Sequence, residues 1–183
     1  MNSIETSVHG ASVVESDVFQ DNRGSFSRLF CLKEWEGVLG SRAIVQINHS
    51  STRRIGAVRG LHFQHPPHAE MKIVRCLKGR VFDVAVDLRR GSPTFLKWTA
   101  TELSPENRRA FVIPEGCAHG FQVLEEDSEL LYLHTAFYTP GAESALRFDD
   151  PRIGVKWPLA PADLSARDQS HPHLRPDFKG VVL

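Results

Sequence analysis

Net charge is missing from this chain: Lys plus Arg and Asp plus Glu stand at 22 each. Nothing in that balance would draw nucleic acid or an anionic membrane, and neither is expected as a partner. Long apolar runs are missing as well. No stretch approaches the ~20 residues of a membrane-spanning helix. Met1-Asn2-Ser3-Ile4-Glu5 has neither the basic nor the apolar region of a signal peptide. Cysteine is scarce, with Cys31, Cys76 and Cys117 widely spaced and odd in number, which argues against a disulfide framework. There is no internal repeat and no low-complexity linker. The expected location is the cytoplasm. What is present, 183 residues at 41% hydrophobic and 24% charged, suits one domain over residues 1–183 with a buried core.

The patterning is that of many short strands separated by turns. Extended runs are expected at Ser12–Phe19, Phe26–Phe30, Ala43–Ser50, Arg59–Gln64, Met71–Cys76, Arg80–Leu88, Phe95–Leu103, Ala110–Ile113, Ala118–Leu124 and Leu130–Phe137. Turn clusters recur every ten or so residues, among them Asp21–Ser25 and Pro114-Glu115-Gly116. Leu32, Trp35, Val38 and Leu39 have helical spacing, so Cys31–Leu39 reads as a short helix ended by Gly40. One more helical turn is expected around Pro161–Arg167. The spacing predicts a mostly β fold, a sandwich or barrel.

Chemistry concentrates in Arg59-Gly60-Leu61-His62-Phe63-Gln64 and Glu70-Met71-Lys72-Ile73-Val74. Alternation on a strand puts His62 and Gln64 opposite Leu61 and Phe63, and Lys72 opposite Met71 and Ile73. A base and a cation presented from rigid strands suit proton abstraction beside a carbonyl. Taken singly, His62 and Tyr132 are more often core residues, and Asp168 reads as a loop acid. Asp83 lies inside an apolar strand, where a carboxylate needs a partner. Arg23, Arg53, Arg54, Arg59 and Arg75 form a second constellation, of which Arg23 and Arg59, each beside glycine, suit a bidentate anion.

In order along the chain, Asp21-x-Arg23-Gly24-x-Phe26, Gln46-x-Asn48-x-Ser50, Arg59–Gln64, Glu70-x-Lys72-x-Val74-Arg75, Val81–Arg89, Gly91-Ser92-Pro93-Thr94, Ile113–Gly116, Ala118–Phe121, Tyr132, Tyr138-x-Pro140, Asp150-Pro151, Trp157-Pro158 and Leu164-Ser165-x-x-Asp168 resemble the dTDP-4-dehydrorhamnose 3,5-epimerase family, the RmlC-like cupins. The match runs from Asp21 to Asp168. The resemblance implies an antiparallel jelly-roll barrel with a few short helices, a homodimer, no cofactor and a nucleotide-diphosphate sugar substrate. It implies inversion of carbons 3 and 5 of a 4-keto-6-deoxyglucose, a step of deoxysugar and surface polysaccharide biosynthesis. His62 would be the base with Asp168 as its dyad partner, Lys72 the enolate stabiliser and Tyr132 the acid. Arg23 and Arg59 would hold the pyrophosphate, Gln46, Asn48 and Tyr138 the nucleotide, with Phe26 in the same motif as Arg23. Asp83 and His119 would line the pocket.

Arg28 departs from the family pattern, which carries glutamate there, and is expected to alter base or ribose contacts. By residue type, His62, His65, His68, Glu70 and His119 are candidate metal ligands. Pro114–His119 fits the second cupin metal motif, but the first wants two histidines one residue apart, and Gln64 stands in the second place. The expectation is therefore no metal. Two alternatives share the same residues: an epimerase acting at carbon 3 or carbon 5 alone, and a non-catalytic sugar-nucleotide-binding cupin.

Overall fold

The structure, a computed structural model, describes residues 2–183. In chain order the strands are β1 (Asn2–Glu5), β2 (Ser12–Glu15), β3 (Val18–Asp21) and β4 (Gly24–Ser27), followed by helix α1 (Leu32–Leu39). Then come β5 (Gln46–Thr52), β6 (Val58–Gln64), β7 (Lys72–Lys78), β8 (Val81–Asp87), β9 (Trp98–Leu103), β10 (Arg109–Ile113), β11 (Cys117–Val123) and β12 (Ser128–His134). A 3-10 turn at Pro140–Ala142 leads to β13 (Glu143–Ala145), and α2 (Ala166–Ser170) lies near the end. All pairing between strands is antiparallel, in a six-stranded sheet β1-β2-β10-β7-β12-β5 and a five-stranded sheet β13-β6-β11-β8-β9. Among the described residues no helix is long and apolar enough to cross a membrane.

Three apolar layers follow from the alternation of side chains. Val74, Phe111, Ile113 and Leu130 of the larger sheet meet Val81, Ala85, Phe121 and Val123 of the smaller, so the two sheets face one another. The opposite side of β7, β10 and β12 packs Ile73, Val112 and Leu133 beneath Trp35 and Leu39 of α1. The outer side of the smaller sheet is covered by Leu146, Ile153, Trp157, Phe178 and Val181 from the C-terminal stretch. That cover explains why β8 is buried on both faces although its apolar face alternates with Asp83 and Asp87.

The helix expected at Cys31–Leu39 forms, and Gly40 ends it at φ 58°, a left-handed value that suits glycine. The expected strand Ser12–Phe19 is instead two. Arg75 donates to Ser16 Oγ at 2.6 Å, and beyond Ser16 the chain leaves the barrel as the ribbon β3–β4, which pairs with neither sheet. The Arg75 side chain leaves β7 on the outer side of the larger sheet, buried over the Trp35 ring of α1, so it is a structural cation and not part of an anion site. The expected turn at Pro161–Arg167 falls later, as α2. Ser165 caps it by accepting from the Asp168 N–H at 3.0 Å. The strand Asn2–Glu5 has no counterpart in the expectations.

Asp87, fully buried at the end of β8, accepts from Arg89, Ser92 and Thr94. Burial alone pushes its carboxyl up, but those donors outweigh it and hold the group at about 2. A depressed carboxylate contributes stability that is complete above its ordinary value of 3.8 and is lost as pH falls towards 2. Asp87→Asn is therefore expected to lower Tm at pH 7, with the gap to wild type closing between about pH 4 and pH 2 in thermal unfolding.

Candidate active site

Regular alternation would send Arg59 and His62 to opposite faces of β6, since they are three residues apart. The pairing with β11 prevents this. His62 stands opposite His119 and Arg59 opposite Phe121, so Gly60 and Leu61 together face Gly120 and the register slips by one. Both Arg59 and His62 then point between the sheets. Gly60 sits at φ +125°, and a Cβ there would lie 2.5 Å from the Gly120 Cα. Gly60→Ala is expected to cost at least about 2 kcal/mol in urea unfolding, the scale of overpacking in a tight core, and to weaken activity by displacing both neighbours.

The cavity these strands enclose has a volume of about 680 Å³, within the range of small-molecule sites. The smaller sheet gives it Arg59, His62 and His119; the larger gives Gln46, Asn48, Lys72 and Tyr132. Tyr138 borders it from the segment after β12, its backbone N–H donating to Gln46 Oε1 at 3.0 Å. Asp168 enters from α2 and places Oδ1 2.7 Å from His62 Nε2. Burial pushes the Asp168 carboxyl up, but the His62 bond and charge outweigh it and hold it low. With Nε2 engaged by a carboxylate, Nδ1 is the ring nitrogen left for substrate. Lys72 is 8% exposed, and its ammonium donates to the His62 carbonyl at 3.3 Å. Burial pushes the Tyr132 phenol well up, so it keeps its proton at neutral pH.

Asp83 lies behind the cavity wall, 0% exposed, and reaches it through His119, whose Nε2 is 2.7 Å from Asp83 Oδ1. The resemblance implied that both residues line the pocket; only His119 does. Burial raises the Asp83 carboxyl against the pull of His119 and Lys72.

Arg23, Phe26 and Arg28 are not brought to this cavity within the chain. Arg23 and Phe26 sit on the β3–β4 ribbon, the Arg23 side chain 85% exposed and paired to Asp21 at 2.6 Å. Arg28 follows β4 and is bonded to Glu34 of α1. The histidine-rich metal candidates are likewise dispersed. His65 bonds Ser144, His68 bonds Thr139, Glu70 bonds His134, and His119 bonds Asp83. Among the described residues, the set whose potential ligand atoms lie within 4.8 Å of one another is His62, Asp168 and His171.

A family model described as dTDP-4-dehydrorhamnose 3,5-epimerase matches residues 5–176. The chain belongs to the dTDP-4-dehydrorhamnose 3,5-epimerase family. The Salmonella typhimurium dTDP-4-dehydrorhamnose 3,5-epimerase is 43% identical over 93% of this chain and 94% of its own length. The Elizabethkingia anophelis epimerase structure superposes with a TM-score of 0.90 at 39% identity, covering 97% of this chain and 98% of that one. The Legionella pneumophila epimerase, solved in complex with dTDP-4-keto-L-rhamnose, gives a TM-score of 0.88 at 40% identity, covering 93% and 90%. The cupin jelly roll of this epimerase family is the fold described above.

His134 and Ser50 line the cavity without having been expected there. His134 had a signal, because it stands two residues beyond Tyr132 on one strand face. Glu143 and Arg167, bonded to one another at the rim, had none: they come from a three-residue strand and a short helix.

Proposed function

We propose that this chain is a cofactor-free epimerase that inverts carbons 3 and 5 of dTDP-4-dehydro-6-deoxy-D-glucose, yielding dTDP-4-dehydro-L-rhamnose. The observation that carries the reading is the His62–Asp168 dyad on one wall of a cavity whose opposite wall holds Tyr132 and Lys72. The hydrogens on carbons 3 and 5 both flank the 4-keto group. His62 takes one of them as a proton, and the electron pair of the broken C–H bond moves into an enolate whose charge rests on the keto oxygen. Lys72 offsets that charge, and such fixed electrostatic stabilisation is usually the largest catalytic term. Asp168 holds the imidazole and stabilises the imidazolium that forms. Tyr132, on the facing sheet, returns a proton from the other side of the sugar, which is what inverts the centre. Substrate and product are isomers, so no electrons are gained or lost.

Incubation with substrate in deuterated water tests this. Deuterium is expected at carbons 3 and 5 by NMR. Label at carbon 3 alone would reassign the chain as a 3-epimerase, and no label would favour a sugar-nucleotide binder.

We also propose a homodimer. Phe19 and Phe26 are 72% and 65% exposed on a ribbon paired with neither sheet, and Ile47 on the edge strand β5 is 61% exposed. If Arg23 is to meet a diphosphate beside Arg59, it has to do so in a second copy.

A further inference from the structure

Besides His62–Asp168 and His119–Asp83, the cavity contains a further imidazole–carboxylate pair that the acid–base account leaves unused. His134 Nδ1 lies 2.7 Å from Glu70 Oε2, while Glu70 Oε1 lies 3.3 Å from Lys72 Nζ. The three side chains are each at most 10% exposed. In the β12–β7 register His134 stands directly across from Lys72. His134 Nε2 is 3.3 Å from Asn48 Nδ2. An amide N–H donates, so Nε2 accepts, and the proton sits on Nδ1, where it is donated to Glu70. Both Glu70 oxygens are thereby engaged. Burial pushes the Glu70 carboxyl up, but the His134 bond and the Lys72 charge outweigh it, so the group is a carboxylate. The His134 ring also stacks on that of Tyr132, with centroids 5.9 Å apart and planes 16° apart.

Lysine is a poor fixed charge by itself, because its ammonium rides on four freely rotating carbons. Electrostatic stabilisation of an enolate requires a donor already in place when the charge develops. Lys72 is tied at two points, to the His62 carbonyl on the base's own strand and to Glu70. Glu70 in turn is held by His134, which is held by Asn48.

We propose that Glu70 and His134 are positioning residues that fix the Lys72 ammonium where the enolate oxygen forms, with Glu70 acting on Lys72 and His134 acting through Glu70. This rests on the epimerase reading above, in which Lys72 stabilises the enolate.

Glu70→Gln keeps the shape and removes the charge. It is expected to lower kcat and carbon-bound hydrogen exchange together by roughly 10- to 100-fold, the scale of an ångström's misplacement, with KM unchanged within about threefold. His134→Phe keeps an aromatic ring on Tyr132 and removes the donor to Glu70. It should give a smaller loss of the same kind, and the double variant should be no slower than Glu70→Gln, since one residue works through the other. Should Glu70→Gln fail to fold, the kcat-to-KM split in His134→Phe carries the test. The proposal is overturned by an unchanged kcat in Glu70→Gln, by a lowered Tm with no loss of kcat, or by losses that multiply while KM rises, which would make His134 a substrate contact. A wild-type chain that exchanges no carbon-bound hydrogen overturns the epimerase reading and this proposal together. Exchange in wild type beside an unaltered Glu70→Gln overturns this proposal alone.

Discussion

Replacing His62 by alanine is expected to stop exchange of carbon-bound hydrogen altogether. The reason lies in what else the cavity offers. His119 is committed to Asp83 at 2.7 Å and His134 to Glu70 at 2.7 Å. Asp168 would survive the substitution, but as a carboxylate whose side chain is only 6% exposed, set behind the vacated ring. Among the described residues the remaining imidazole lining the cavity, His49, is bonded to Glu129 at 3.1 Å, and His171, near the dyad, does not line the cavity. General bases are typically worth ~100- to 10,000-fold in rate, so the loss should be plain when labelled solvent is followed by NMR. The substitution also removes a partly exposed side chain without opening the apolar core, so the variant should fold and still bind a nucleoside diphosphate. Exchange persisting in His62→Ala would mean that another group is the base.

Tyr132→Phe is expected to separate two events that run together in wild type. The ring stays, with its T-shaped contact to His119 and its stacking on His134. Only the hydroxyl goes, along with a long contact of 3.5 Å to Ser50. His62 and Lys72 are untouched, so the enolate should still form and hydrogen should still exchange. Inversion should fall by roughly the ~100-fold or more that a general acid contributes, because the proton returns on the side from which it left. Comparing label uptake with product formation in one sample reads both rates. Wild-type inversion by Tyr132→Phe would refute the assignment of Tyr132 as the acid.

The parts of this site that could be read from residues alone are those carried by strand alternation. Leu61 and Phe63 against His62, and Met71 and Ile73 against Lys72, are period-two patterns, and each lies on the face that the alternation assigns. Arg59 was harder. Its inward direction depends on the register slip at Gly60–Leu61, which is a property of the pairing with Gly120 and not of β6 by itself. Asp168 carries no local signal, because its side chain is aimed by a five-residue helix and a serine cap, and only the resemblance of Leu164-Ser165-x-x-Asp168 to the family pointed to it. Val18 and Phe19, the start of β3, read as the end of a longer strand because they continue the apolar pattern of Val13 and Val14. That pattern is equally satisfied by a surface that meets something outside the chain, and Phe19 is 72% exposed.

The base and its carboxylate are 106 positions apart in the chain. A ribosome that has already delivered both sheets, and with them His62, Lys72 and Tyr132, has not yet delivered Asp168 or the residues that cover the smaller sheet's outer side. A nascent barrel therefore holds its keto-sugar pocket before its imidazole has a partner. Chains interrupted before α2 lack both the carboxylate that orients the base and the Phe178 and Val181 part of the apolar cover, so catalytic competence and full shielding of that face are completed together, after both sheets.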